Sequence, residues 1–599
     1  MRQSLRAAWV LMAISFRADP VRTVATVVLM TFTSAASAVF AFGLKILTDA
    51  AVAGDTRGVL VASAVIVVVL GALITTGWTG FHLQTILAEK AQVLIDQRLI
   101  EMVEDVPGIE HHERPDYHDE IELLRHERAR LSKVLDAIVG NIGLVVQIGG
   151  TALLLAHLHP ILLTLPLFAL PSLWTSSIAE RLRQRTLDEC AEPIRATSHL
   201  FELATTPASG KELRVFGLGP HLLDRHNRGW DQVDSRISAS ARRSVMLSSA
   251  GWLFFSIGYA GAIFFVVRRA VLGQATPGDV LLALTVAAQI NMQISGAVGM
   301  VMWVMASMKV ARRYLWLADY AKEARAKLAT AMGQPLPVPD VVREGIRFES
   351  VAFRYPGTET DVLSGVDLFV PAGTTIAVVG DNGAGKTTLV KLLCRFYEPT
   401  SGVITLDGIN IQRFDPEEWR TRLSAGFQDF ARFELLAGQT VGVGLLTQMD
   451  DEPAVVGALQ RAGAEGVAPT LPTGLSTQLG RSFDGGVELS GGQWQKLALG
   501  RAMMREHPLL LVLDEPTASL DAETEHALFE RYAQGARRIA ETSGAITVLV
   551  SHRFSTVRMA DLIVVVDGGR VVEAGSHRDL IEAQGLYAEL YELQARGYR

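Results

Sequence analysis

Cysteine is nearly absent from this chain. There are two in 599 residues, Cys190 and Cys394, both in stretches that read as cytosolic. No disulfide framework is available, and reduced thiols are the expectation. An excess of positive charge is missing as well. Fifty-six Lys and Arg stand against 63 Asp and Glu, for a net charge of −7, so nothing here calls for a nucleic-acid partner. No solenoid-type repeat recurs along the chain. His111, His112 and His118, with Glu110 and Glu113 beside them, fit no standard zinc spacing and read as a polar surface turn. Apolar residues are not scarce: 49% of the chain is hydrophobic and the mean hydropathy is +0.25. That is too apolar for an ordinary soluble two-domain enzyme.

A bilayer span needs about 20 apolar residues. Six stretches qualify: 21–48, 59–83, 134–156, 160–180, 246–271 and 278–308. The first is too long for a cleavable signal, and a second span follows closely. Residues 1–20 read as an amphipathic lead-in whose Arg2, Arg6 and Arg17 place the N-terminus in the cytosol. Six spans return the chain to that side. Arg268 and Arg269, near the outer end of the fifth span, argue the other way. The outer loops are short, whereas the inner segments, about 84–133 and 181–245, are long and helix-rich. At 1.5 Å per residue, about 25 helical residues reach about 38 Å, enough to descend, turn and climb back. Pro335, Pro337 and Pro339 close a link over 321–343.

The second half carries phosphate chemistry. Gly380–Thr388 reads GDNGAGKTT, with Gly380, Gly383, Gly385, Lys386 and Thr387 in register for a phosphate-binding loop. Asn382 and Thr388 belong to the same loop. An apolar run, 375–379, precedes it, and 389–396 reads as a helix. Glycines let successive N–H groups converge on an anion, and a helix N-terminus adds partial positive charge. Lys386 suits the β and γ phosphates of ATP, and Thr387 suits Mg²⁺. Leu509–Glu515 reads LLLVLDE, a buried strand delivering two carboxylates at its carboxyl end. Asp514 is the candidate Mg²⁺ ligand and Glu515 the candidate base for an attacking water. In LSGGQ, Ser490, Gly491 and Gly492 open a helix ahead of Gln493 and expose backbone N–H groups to an anion.

In their order and spacing these strings resemble the ABC transporter family. The resemblance implies an exporter-type half-transporter: six membrane helices with long cytosolic extensions (21–320), then an α/β P-loop ATPase domain (344–599). It also implies roles for further positions. Tyr355 would stack on adenine, Gln428 would link Mg²⁺ to the membrane half, Ser519–Asp521 would cross a dimer interface, and His552 would contact the γ phosphate. Ser490–Gln493 would contact ATP bound to a second subunit, so the working unit is two cassettes. With every motif intact, a homodimer is expected; a heterodimer is the alternative. Coupling helices are expected near 113–119 and 208–216.

Two segments depart from the common family form. GRSFDGGVELSGGQ is long and glycine-rich, resembling peptide-exporter-like members, and Gly438–Gly444 lacks the usual Asn-Ile. In the sixth span, Gln289, Asn291 and Gln293 stand among Met292, Met300, Met302, Trp303 and Met305, which suits a cavity for an amphiphile or plain helix packing. The expected activity is ATP-driven export by alternating access across a bacterial cytoplasmic membrane. The cargo reading is a modified peptide or hydrophobic drug-like compound. An exporter-fold importer of the siderophore kind, or a lipid flippase, is the alternative.

Overall fold

The computed structural model describes residues 9, 12–132, 134–207, 209–515, 540–551 and 553–597. They form two compact units. One is Met1–Glu101 with Ile121–Leu317; the other is Met102–Glu120 with Ala318–Arg599.

The first unit is built from six long helices. These are α1 (Pro20–Val52), α2 (Thr56–Glu104), α5 (Val134–Leu158), α6 (Leu165–Glu189), α9 (Gly219–Val271) and α10 (Pro277–Met332). Between them along the chain lie α4 (Pro115–Ser132), α7 (Ala191–Thr205) and α8 (Gly210–Val215), and α3 (Glu110–Glu113), which belongs to the second unit. Among the described residues, five helices are long and apolar enough to cross a membrane, and α10 adds an apolar stretch at Pro277–Ile290. Five of the six expected spans fall within these helices; the fourth, 160–180, begins on a 3₁₀ turn, Pro160–Thr164, and runs on into α6. With 49 and 53 residues, α2 and α9 reach about 75–80 Å, far beyond the roughly 30 Å hydrocarbon core. Val67, Trp78, Leu153 and Phe264 are each more than 60% exposed. Such an apolar exterior suits lipid rather than water.

Local chemistry sets the helix ends. Asp19 caps α1 by accepting from Arg22 N–H, Pro20 supplies a preset φ, and Lys90 Nζ pairs with Asp19 at 2.7 Å. Small residues let α6 and α9 approach closely: a Cβ on Gly251 would lie 2.2 Å from Thr175 Oγ1, and one on Gly258 would lie 2.5 Å from Phe168. At the outer end, Lys45 pairs with Asp279 at 2.7 Å, while Asp49 accepts from Gly278 N–H and Thr276 Oγ1. Arg269, whose charge argues against the topology, donates to the carbonyls of Leu158 and Gln274. That charge thus meets carbonyl dipoles rather than hydrocarbon.

The second unit has two sheets. The strands are β1 (Gly345–Phe353), β2 (Leu363–Pro371), β3 (Thr375–Val379), β4 (Ser401–Leu406), β5 (Ile409–Asn410), β6 (Leu423–Gly426), β7 (Leu510–Asp514), β8 (Ile546–Val550), β9 (Leu562–Asp567) and β10 (Arg570–Gly575). One sheet runs β10-β9-β3-β8-β7-β6, parallel except for the β10–β9 pair; the other, β2-β1-β4-β5, is antiparallel. Strands β3, β7 and β8 are buried throughout, as apolar runs in a covered parallel sheet must be. Helix α11 (Lys386–Leu393) follows β3. It ends at Cys394, whose burial pushes the thiol up to about 12 and leaves it a packing group. The proline-rich stretch after α10 lies along this unit: Leu336 N–H donates to Arg413 O, and Val342 N–H to Ser543 O.

Two expectations need correction. The segment 113–119 is not one helix. Pro115 forces Arg114 into an extended conformation and starts α4, so the short helix before it is Glu110–Glu113. The histidine turn is not wholly on the surface: His111 is 1% exposed, with its ring 4.0 Å from that of His112 and 5.0 Å from that of Tyr117. The second segment does hold a short helix, Gly210–Val215, with Phe216 exposed; Ala208 is outside the described residues.

Candidate nucleotide site

The loop between β3 and α11 is shaped by glycine. Gly380 has φ +149°, and a Cβ there would lie 2.1 Å from Val566 O; Gly385 has φ +107°, and a Cβ would lie 2.7 Å from Leu363. A side chain at either point would displace the backbone from the path that turns its N–H groups inward. Lys386 Nζ donates to the carbonyls of Gly380 and Asp381 at 2.8 Å each, spanning the loop from below. Burial pulls the Lys386 ammonium below its usual range, opposed by Glu515, Asp514 and Asp381. This buried cation faces a cluster of acids and is suited to the phosphates of a nucleotide.

The acidic pair ends β7 as expected. Asp514 is 2% exposed. Burial raises its carboxyl, Glu515 and Asp429 add to the rise, and hydrogen bonding from Thr387 with the charge of Lys386 works against it. Thr387 and Asp514 therefore stand together, and Gln428 Nε2 donates to Glu515 Oε2 at 2.7 Å. A hydroxyl, a carboxylate and an amide oxygen make a hard oxygen set that fits Mg²⁺, which favours few protein ligands alongside phosphate oxygens. Glu515 adopts φ +47°, a left-handed conformation that costs a non-glycine residue about 1–3 kcal/mol. Its backbone N–H is tied to Val550 O at 2.9 Å.

Helix α12 (Gly491–Ala502) begins where LSGGQ predicts. Ser490 is its N-cap, and the glutamine completes a capping box: Gln493 N–H donates to Ser490 Oγ, and Ser490 N–H to Gln493 Oε1. The S-x-x-Q spacing carries this signal in the sequence, although the family resemblance assigns the glutamine only to nucleotide contact. Leu489 and Trp494 are buried on either side, while Ser490 and Gly491 stay exposed. The packed residues anchor a helix N-terminus that faces outward. Upstream, the glycine-rich departure closes on itself through Gly480 N–H to Val487 O.

Tyr355 is half-buried. Its hydroxyl lies 3.2 Å from Thr388 Oγ1, and its ring packs edge-on against Phe353 and Tyr397. Two neighbours of this ring have no motif to announce them. Lys391 Nζ lies 5.2 Å over the Tyr355 ring and also donates to Glu113 Oε1 at 2.6 Å. Tyr397 OH donates to Glu113 Oε2. Ile109 N–H reaches Phe396 O, and Gly108, at φ +81°, passes so close that a Cβ would lie 2.4 Å from that oxygen. The segment Met102–Glu120 is thus seated on α11 and the turn after it. No spacing rule joins Glu113 to Lys391, 278 residues away. His552 and Ser519–Asp521 lie outside the described residues.

A phosphate loop before a helix, paired acids ending a strand of the same parallel sheet, an exposed capped helix and a bundle of long apolar helices define a membrane transporter powered by a nucleotide. Residues 363–518 match the ABC transporter family. The ATP-dependent lipid A-core flippase of Xanthomonas campestris pv. campestris (strain 8004) is 30% identical over 474 residues, 78% of this chain and 76% of that protein. That of Chromohalobacter salexigens is 34% identical over 343 residues, 57% of this chain and 56% of that protein. The solved structure of a bacterial Atm1-family ABC exporter with ATP bound has the same fold: TM-score 0.73, 23% identity, 96% of this chain and 99% of that one. The chain belongs to the ABC transporter family, as an exporter-type half-transporter. It is an integral membrane protein with a cytosolic ATPase domain.

Proposed function

We propose that two copies of this chain form an exporter that hydrolyses ATP to carry a lipid-like amphiphile from the inner to the outer leaflet. The observation that carries this reading is the 30% identity to a lipid A-core flippase along 78% of the chain, through both the membrane and ATPase parts. The relatives' names favour the lipid alternative over the modified-peptide or drug-like cargo that the glycine-rich segment suggests.

In this reading the loop at Gly380–Thr388 cradles the phosphates through its N–H groups, and Lys386 neutralises their charge. Tyr355 offers a face to adenine. Thr387, Asp514 and Gln428 would hold Mg²⁺, which supplies charge neutralisation when bound. Glu515 holds the proton taken from the attacking water. The Gln428 amide donates to one carboxylate oxygen and fixes it. Ser490–Gln493 presents its N–H groups to ATP held by the partner copy, so each site needs both chains. His552 would complete the γ-phosphate contacts. The segments around Glu110–Glu113 and Gly210–Val215 serve as coupling tips, with 321–343 as the link to the ATPase domain.

The test is reconstitution into liposomes with fluorescent lipid in the inward-equivalent leaflet. ATP-dependent loss of that lipid from its leaflet, abolished in Glu515→Gln, is the expected result. ATP hydrolysis without movement of any lipid overturns the cargo reading.

A further inference from the structure

Within the membrane unit a cavity of about 560 Å³ opens between α1, α2, α5 and α10. Helical spacing explains its walls. Met30, Ser34 and Ser37 share one face of α1; Gly140, Gly143 and Gln147 share one face of α5; Gln289, Gln293 and Gly296 share one face of α10. Ser34, Ser37 and Gln147 stand about 20–26 Å from the inner ends of their helices, and Gln289 and Gln293 about 18–24 Å from the outer end of α10. The antiparallel runs therefore place uncharged hydrogen-bonding groups together near mid-span.

These groups are costly there unless they have partners. Gln293 has one in Thr151 Oγ1 at 2.8 Å, which joins α10 to α5. Below the polar band, towards the cytosol, Met300 and Trp303 form an apolar wall. Asp136, in the first turn of α5, stands nearest the inner end. Among the described residues lining the cavity it is the one charged group; none is Lys or Arg.

The chemistry of this lining selects a head group. Ser34 and Ser37 donate to the carbonyls of Met30 and Ser34 at 2.9 and 2.8 Å and so offer acceptors to the cavity. The Gln147 and Gln289 amides both donate and accept; together these groups match hydroxyls and amides. A phosphate only accepts, carries charge, and is ordinarily held by Arg, Lys or converging N–H groups. We propose that this cavity receives the head of the transported amphiphile, and that the head it fits is uncharged and rich in hydroxyls or amides, as in a neutral glycolipid. The inference rests on the lipid-export reading and narrows it to a neutral head group.

The test uses the full chain in liposomes with two fluorescent lipids of identical acyl chains, a diglucosyl-diacylglycerol and a phosphatidylglycerol. ATP-dependent translocation is read by quenching of the exposed leaflet. The glycolipid should move about tenfold faster or more, the factor one ordinary hydrogen bond supplies. Gln289→Lys should shift the glycolipid-to-phosphatidylglycerol ratio towards the anionic lipid by a similar factor. Gly296→Leu covers the case in which a lysine is not tolerated. A Cβ at Gly296 meets nothing within 4 Å, so the larger side chain should enter the cavity and slow the glycolipid without a clash. Faster movement of phosphatidylglycerol by the wild-type chain overturns the inference alone and leaves lipid export standing. The inference falls in the same way if neither variant alters glycolipid movement. If neither lipid moves while ATP is hydrolysed, both readings fall together.

Discussion

Removing the Glu113 carboxylate should loosen the 102–120 segment from the ATPase domain. Glu113 accepts from Lys391 and Tyr397 together. Burial works to raise its carboxyl, but those two bonds outweigh it and hold the group below its usual range. The Glu113 side chain is 39% exposed and that of Lys391 22%, so the ion pair lies between the surface and buried cases. A surface pair contributes about 0.2–1 kcal/mol, and solvent screening keeps this one near the top of that range. Tyr397 is 6% exposed, and its hydroxyl would lose a charged acceptor, worth about 1–2 kcal/mol. Lys391 retains the faces of Tyr355 and Tyr397 and is not stranded. Glu113→Ala should therefore cost about 2 kcal/mol of docking, or about thirtyfold in local opening. Hydrogen exchange of 102–120 in nanodiscs reads this directly: protection should fall by one to one and a half decades there and remain unchanged in β3 and β8. A double-mutant cycle with Lys391→Met should show coupling of about 0.5 kcal/mol or more. Unchanged protection, or strictly additive single effects, would refute the assignment of Glu113 as the anchor.

Three further outcomes follow from the same structure. Glu515→Gln should bind ATP yet turn over about 10²–10⁴ more slowly, as loss of a general base requires; near-normal steady-state hydrolysis would remove Glu515 from that role. His111 should make the chain acid-sensitive. Burial, with His112 adding to it, lowers its folded pKa to about 4 from 6.5, so the unfolded state binds the extra proton between those values and stability falls as pH drops from about 6.5 towards 4. The ceiling is about 3 kcal/mol, and His111→Phe should flatten that part of a plot of thermal midpoint against pH. Ser490→Ala removes an N-cap, at about 1 kcal/mol, and a nucleotide-facing group. In mixtures with wild-type chains it should depress ATPase activity beyond dilution, whereas activity falling in simple proportion would count against sites shared between copies.

The parts legible in the sequence are those where one physical constraint acts on contiguous residues. The Gly380–Thr388 loop is such a case, because close backbone approach at Gly380 and Gly385 admits no side chain. The six spans are another, since bilayer thickness imposes a minimum apolar length. The rest depends on residues distant in sequence or on a local rule that competes with position. Position along the chain puts Pro115 in the middle of a turn. Its restriction on Arg114 and its preset φ make it the start of α4, which moves the short helix to Glu110–Glu113. Polarity alone puts His111 on the surface, yet it is covered by His112, Tyr117 and the fold-back of the segment. The left-handed conformation of Glu515 has no signature in LLLVLDE. The head-group preference arises from four helices converging on one cavity, which no single span reveals.

Helix α11 joins the two ends of the chemistry. Its first residue, Lys386, crosses the phosphate loop; Thr388 meets the Tyr355 hydroxyl; Lys391 holds Glu113. Eight residues span about 12 Å. Leu389, Val390, Leu392 and Leu393 are all at most 5% exposed, and Trp419 Nε1 donates to Leu393 O. A helix so fixed cannot bend cheaply, because each buried leucine pulled from its packing would cost about 2–5 kcal/mol by the standard of large-to-small core substitutions. Charge arriving at its N-terminus must therefore move the helix as a whole or leave it in place. Whichever occurs, Lys391 follows Lys386, and Glu113 follows Lys391. By linkage the dependence is reciprocal: a tip held firmly by Glu113 favours one position of the phosphate loop, and nucleotide that favours the same position tightens the tip. The Tyr355 ring, between Lys391 and Tyr397, places the candidate adenine contact inside that linkage. Nucleotide affinity should thus change in Glu113→Ala although Glu113 belongs to a segment outside the nucleotide loop, and an affinity identical to wild type would show that α11 does not connect them.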